Sequence, residues 1–246
     1  MTKFLQKATL GIVAATLAAA AQATLIDDFS TNQLPMLKDL TTDDSGLWSQ
    51  VSGTGILGSY RDLFVTKTLG DPAIDGTSIG VHGGLLRFSN DTEQGGVGIV
   101  RWDGNALGSG TGLAAAIASI NPIGLGGIDL AADALGFEIV VHSADAGFNF
   151  TLQAYTSATD WSQITLPATP GPGTHFIPFA AFVMGGTAAV NWADIGALQA
   201  IINYPGTVVD VDLSIRRARA VPEPASIALV GMALLAAGVA SRRRIG

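Results

Sequence analysis

The 246-residue chain contains no cysteine. That absence removes disulfides as a source of stability and thiolates as nucleophiles or metal ligands, so a stable fold has to come from packing. Histidine is nearly as scarce. His82, His142 and His175 are widely separated, and none has a partner two or four residues away, so the spacing on which zinc sites are built is missing. Positive charge is thin as well. Between Thr24 and Pro222 eight Lys and Arg face nineteen Asp and Glu, a balance near −11. A surface of that overall sign repels nucleic acid and anionic lipid, which argues against both as partners of this stretch. Only two glutamates, Glu93 and Glu138, lie within it, and no repeat of fixed period runs through it.

What is present is concentrated first at the ends. Lys3 and Lys7 precede an uncharged apolar stretch from Ala8 to Ala21, which closes on Ala21-Gln22-Ala23. Small residues at those positions suit a signal peptidase, so residues 1–23 read as a signal peptide cleaved after Ala23. At the other end Val221-Pro222-Glu223-Pro224-Ala225-Ser226 leads into an apolar segment and then Arg242, Arg243 and Arg244. A transmembrane helix over 225–240 would rise about 24 Å, enough to cross a core of roughly 30 Å if the arginines snorkel. The arginine cluster acts as a membrane stop and leaves the body outside the inner membrane.

The Pro222-Glu223-Pro224 motif, the Gly- and Ala-rich helix behind it and the arginine tail together resemble the PEP-CTERM sorting signal of Gram-negative bacteria. The resemblance covers residues 221–246. It implies an exosortase as processing partner, a transient inner-membrane anchor and a final place at the cell surface or in the extracellular matrix. Proteins with this signal tend to come from bacteria that build extracellular polysaccharide.

The body, residues 24–220, alternates with period two between Gly, Asn, Asp and Pro breaks, which predicts strands. The candidates are Leu25 to Ser30, Arg61 to Thr68, Gly84 to Ser89, Gly95 to Trp102, Phe137 to His142, Phe148 to Ala154, Trp161 to Leu166, Thr174 to Phe179, Leu198 to Asn203 and Val209 to Arg216. Asp145-Ala146-Gly147 reads as a hairpin turn between two of them. Helix is hinted at only over Gly112 to Ile120 and in a turn around Asn191 to Ile195. The fold class is therefore all-β, a β-sandwich or jelly roll. Leu25 to Ser30, Tyr60-Arg61-Asp62-Leu63 and Trp102-Asp103-Gly104 are similar to segments of other PEP-CTERM proteins, whose bodies resemble carbohydrate-binding jelly rolls.

Catalytic signals are weak. Gly76-Thr77-Ser78-Ile79-Gly80 matches the G-x-S-x-G pattern, but a nucleophile elbow needs a strand-to-helix turn and the following residues read as turn and strand. Gly108, Gly110 and Gly112 form a glycine-rich loop without the parallel βαβ context of a dinucleotide site. Paired aspartates in turns suit a hard cation better than general acid catalysis, so Asp27, Asp28, Asp210 and Asp212 are candidate ligands for a structural calcium. Aromatic rings stack on sugars. Tyr155 and Trp161 are the preferred pair for such stacking, because Tyr155 falls on the polar face of its strand. The expectation is a non-catalytic surface or matrix protein that binds polysaccharide, with a secreted polysaccharide hydrolase or a purely structural protein as alternatives.

Overall fold

The computed structural model describes residues 23–71, 75–145, 147–166 and 171–222. Ala21, Glu223, Pro224, the predicted helix 225–240 and Arg242 to Arg244 lie outside the described residues. In chain order the strands are β1 (Thr24–Asp27), β2 (Gln33–Asp39), β3 (Leu47–Ser52), β4 (Tyr60–Leu69), β5 (Thr77–His82), β6 (Leu85–Asn90) and β7 (Gly95–Trp102). After a short helix α1 (Leu113–Ala118) come β8 (Gly136–Ala144), β9 (Phe150–Tyr155), β10 (Trp161–Leu166), β11 (Gly173–Pro178), β12 (Val183–Met184), β13 (Ala197–Ile202) and β14 (Asp212–Val221).

They form two antiparallel sheets, and the all-β sandwich expected from the alternation is what results. The front sheet runs β12-β10-β9-β13-β7-β4-β3. The back sheet runs β11-β8-β14-β6-β5-β2, with β1 added alongside β14. Between them lies one apolar layer in which Leu63, Val65 and Val100 of the front sheet share a cluster with Ile79, Phe88, Ile139 and Ile215 of the back. A second, smaller cluster of Phe64, Val97, Ile99 and Ile201 sits on the far side of the front sheet, capped by Ala116 of α1. The central strands β4 and β7 are thus apolar on both faces, as a strand buried on both sides must be.

Two expectations are corrected. The segments around Asp145 do not form a hairpin: β8 pairs with β11 and β14 in the back sheet, whereas β9 pairs with β10 and β13 in the front. The connection is a crossover between layers, held where Asp212 N donates to Asp145 Oδ2 at 2.9 Å. The last strand also starts later and runs further than its alternation suggested. Asp210 is in the left-handed region at φ 56°, which breaks the strand before Asp212. Bulges at Ser214/Ile215 and Ile215/Arg217 then shift the alternation partway along.

Candidate ligand-binding face

Phe150, Leu152 and Ala154 of β9 point into the inter-sheet core, so Thr151, Gln153 and Tyr155 point out of the front sheet. Register extends that outward face across the sheet. Gln163 of β10 lies opposite Gln153, Gln153 opposite Gln199 of β13, Gln199 opposite Arg101 of β7, Arg101 opposite Asp62 of β4, and Asp62 opposite Gln50 of β3. One row of polar side chains therefore crosses six strands. At about 4.8 Å between strands it is roughly 24 Å long.

The row is hydrogen-bonded in a single direction. Arg101 donates to Gln199 Oε1 from Nε at 2.9 Å and from Nη2 at 2.6 Å. Because a guanidinium has donors and no acceptor, Gln199 has to present its oxygen there and turn its amide nitrogen to the next strand. Gln199 Nε2 donates to Gln153 Oε1 at 2.7 Å, and Gln153 Nε2 donates to Gln163 Oε1 at 3.1 Å. Each link polarises the following one. The chain ends on the half-buried Gln163, whose amide N–H groups become the donors at the open end. Thr151 and the exposed Thr165 share a hydrogen bond of 2.9 Å one step along the same two strands.

The other half of the row is roofed. Residues 104–121 run over β7 and β4 as a strap, pinned at six points. Arg101 Nη2 donates to Ala116 O at 2.6 Å and Nη1 to Ser119 Oγ at 3.3 Å. Gly108 N donates to Asp62 Oδ2, Leu113 N to Asp44 Oδ1 and Asn121 N to Asp103 Oδ2, at 2.7, 2.8 and 2.8 Å. Trp48 Nε1 donates to Gly110 O at 3.3 Å, while its ring lies 5.0 Å from the Arg101 guanidinium. Under this cover the acids change character. Burial raises the Asp62 carboxyl above its ordinary range, and burial with the charge of Asp62 pushes Asp103 up to about 6. Asp103 Oδ1 has no hydrogen-bond partner among the described residues.

Tyr155 and Trp161, the sugar-stacking pair expected from the sequence, are brought together opposite one another on β9 and β10. They stack on each other at 5.5 Å and 20°, however, instead of presenting two free platforms. Tyr155 is 7% exposed and its hydroxyl donates to Gln153 Oε1 at 2.9 Å. Trp161 is half-buried, with Gly185 and Gly186 against its ring. No sequence pattern marks the amide row itself. Gln153 and Gln163 fall on the face that alternation assigns to Tyr155, but Gln199 and Arg101 join them only through strand order.

The four candidate calcium ligands are not assembled. Asp27 is buried and accepts from both Arg61 Nη1 contacts at 3.0 Å, from Phe29 N at 2.8 Å and from Trp102 Nε1 at 3.0 Å, so its lone pairs are committed to protein. Asp28 caps the turn at Ser30, whose N and Oγ donate to it at 2.9 and 2.6 Å. The first and last strands do pair, but Asp27 faces Ala218, six positions from Asp212 and so about 20 Å away. Asp210 accepts from Glu93 N at 2.7 Å. Among the described residues no group of three or more His, Asp or Glu could hold a metal ion. Ser78 sits mid-strand on β5, paired with β6, and no nucleophile elbow forms. His82-Gly83-Gly84, after the serine, makes the turn that joins those two strands.

Comparison with protein families matches the PEP-CTERM protein-sorting motif to residues 220–244. Comparison with curated proteins gives no match. Among solved structures, the solution structure of CtCBM11 is similar, at 11% identity, TM-score 0.37, covering 83% of this chain and 97% of that one. A family 11 carbohydrate-binding module from Clostridium thermocellum, in complex with a beta-1,3-1,4-mixed-linked tetrasaccharide, is similar at 10% identity and TM-score 0.35, covering 81% and 95%.

Proposed function

We propose that the body is a non-catalytic polysaccharide-binding sandwich, exported and delivered by its C-terminal sorting signal, which seats a neutral glycan on the open half of the front sheet. The sorting motif supports export and exosortase processing. The observation that carries the binding reading is the cross-strand row from Arg101 to Gln163. A neutral sugar chain offers hydroxyls, and Gln163 with Thr165 at the open end of the row offers an amide and a hydroxyl to meet them, while the buried Arg101, Gln199 and Gln153 fix the direction in which Gln163 presents its amide. Trp161 beside the row adds the accessible part of an indole for the apolar face of a ring.

Affinity at such a shallow site is expected near millimolar, about −4 kcal/mol, with display on a matrix raising retention through avidity. The test is retention of the protein on the exopolysaccharide of its own organism and on a panel of neutral glycans. Gln163→Ala is expected to weaken retention severalfold with an unchanged melting temperature. Gln199→Ala is expected to lower the melting temperature, because it strips the buried Arg101 of two hydrogen bonds. Absence of retention on every glycan would leave a structural surface protein as the better reading.

A further inference from the structure

The eight Lys and Arg of the body are not spread over its surface. Arg61, Lys67 and Arg101 are buried in the front sheet. The other five, Lys38, Arg87, Arg216, Arg217 and Arg219, all project from the outer face of the back sheet. Side-chain parity places them there. Ile79, Leu86, Phe88, Ile139 and Ala220 point into the core, so their neighbours Arg87, Glu138 and Arg219 point outward, as does Lys38 opposite Ser78. Arg216 is the extra residue of a bulge, and its Nη2 lies 3.3 Å from Nδ1 of the exposed His142 on β8.

Few anions offset these charges. On β6, β8 and β14 the carboxylates are Glu138 and Asp212. Glu138 is taken by Arg219 at 2.7 Å and Arg217 at 3.5 Å, and Lys38 is taken by Asp91 at 2.7 Å. Arg87 and Arg216 are exposed and have no carboxylate partner within salt-bridge distance among the described residues. Arg87 lies opposite Ser214, so the arginines extend along β14 from that level to Arg219, about 17 Å.

We infer that this face is a second binding surface, for a linear anionic polysaccharide bearing carboxylate or sulfate groups. A strongly acidic protein would repel such a polymer everywhere else, so the basic strip fixes both where it docks and along which direction it lies. Guanidinium forks match carboxylate and sulfate oxygens in pairs. An anionic membrane shares this charge chemistry, and the test below separates the two. The inference concerns the face opposite the amide row and stands without the neutral-glycan reading.

The test uses the full chain reconstituted in phosphatidylcholine vesicles and titrated with polygalacturonate, with duplex DNA as competitor polyanion. Polygalacturonate is expected to bind and to be displaced by added salt. Replacing Arg87→Gln together with Arg216→Gln is expected to weaken it about tenfold, the loss of one or two charge-assisted contacts. Lys38→Gln, whose ammonium is already engaged, and Gln163→Ala on the other face are expected to change it less than about twofold. Retention of a neutral glycan by the front face should not respond to the arginine variants, which separates failure of one surface from failure of the other. Four results would overturn the inference: no binding at low salt, equal loss in Gln163→Ala, tighter binding of DNA, or abolition of binding when the vesicles are phosphatidylglycerol.

Discussion

Two fully buried arginines stand on opposite faces of the front sheet, and each is satisfied in a different way. Arg101 points outward into amides and the strap. Arg61 points inward, where Asp27 takes Nη1 with both oxygens at 3.0 Å, Gln33 Oε1 takes Nε at 2.9 Å and Thr31 O takes Nη2 at 2.7 Å. Removing one member of such a pair strands the other charge in the interior. Asp27→Ala is therefore expected to cost about 3–5 kcal/mol in urea unfolding, and Asp27→Leu with Arg61→Met to recover much of it. Asp27 also shows where sequence reading stops. Acid type and a turn context suggested a cation ligand, and the cation it meets is a side chain 34 residues away. The segments singled out around Asp27, Arg61 and Trp102 do converge, through the hydrogen bonds that Asp27 accepts from both other residues. Their proximity follows from sheet order, which no local pattern encodes.

At the level of elements, β4 carries Arg61, Leu63, Val65 and Lys67 on its inner face, with a cation at each end of an apolar pair. Lys67 is buried and its ammonium is surrounded by the carbonyl oxygens of Leu40, Asp71 and Asp75. β7 and β10 were legible in the sequence to the residue and β9 to within two, because Gly, Asn, Asp or Pro breaks bound them. β2, β3, β5 and the two-residue β12 were not. β2 contains Pro35 and a shift in register between Gln33 and Leu37, and β3 is an edge strand without a fully buried residue, so neither leaves a period-two trace. The strap 104–121 was legible only as a glycine-rich loop and a short helix. Its fit depends on Gly108, where an added Cβ would lie 2.2 Å from the Trp48 ring. Gly108→Val is expected to lift the strap at a cost of about 1–3 kcal/mol and to speed proteolysis within it, as read by mass spectrometry of the fragments. Gly171→Val, at a position with nothing within 4 Å of the added atom, is the control and should cut no faster.

For the whole molecule, buried acids set the response to pH. Burial raises Asp27, Asp62 and Asp103, the last to about 6, so the folded protein holds these protons more tightly than the unfolded chain does. The sign follows directly. Stability from Asp103 is fully present below its ordinary 3.8 and is lost as pH rises towards about 6, a swing of roughly 3 kcal/mol at most. Hydrogen bonds hold Asp28 and Asp91 below their ordinary range, and these oppose further gain in stronger acid. The melting midpoint is thus expected to rise between neutral pH and about pH 5, by about 2–4 °C for each kcal/mol in a domain of this size. Asp103→Asn should raise the midpoint at neutral pH and flatten that slope, whereas an unchanged profile would remove Asp103 as its source. The order of the back sheet has a consequence in time as well as in energy. β14 is the last strand of the chain, yet it lies between β8 and β6 and also holds β1. A polypeptide threaded across a membrane from its N-terminus delivers that keystone after every other described strand, so until then the back sheet exists as two separate pieces, β11-β8 and β6-β5-β2, and an unpaired β1. Closure of the back sheet therefore waits on the stretch of chain that abuts the sorting motif.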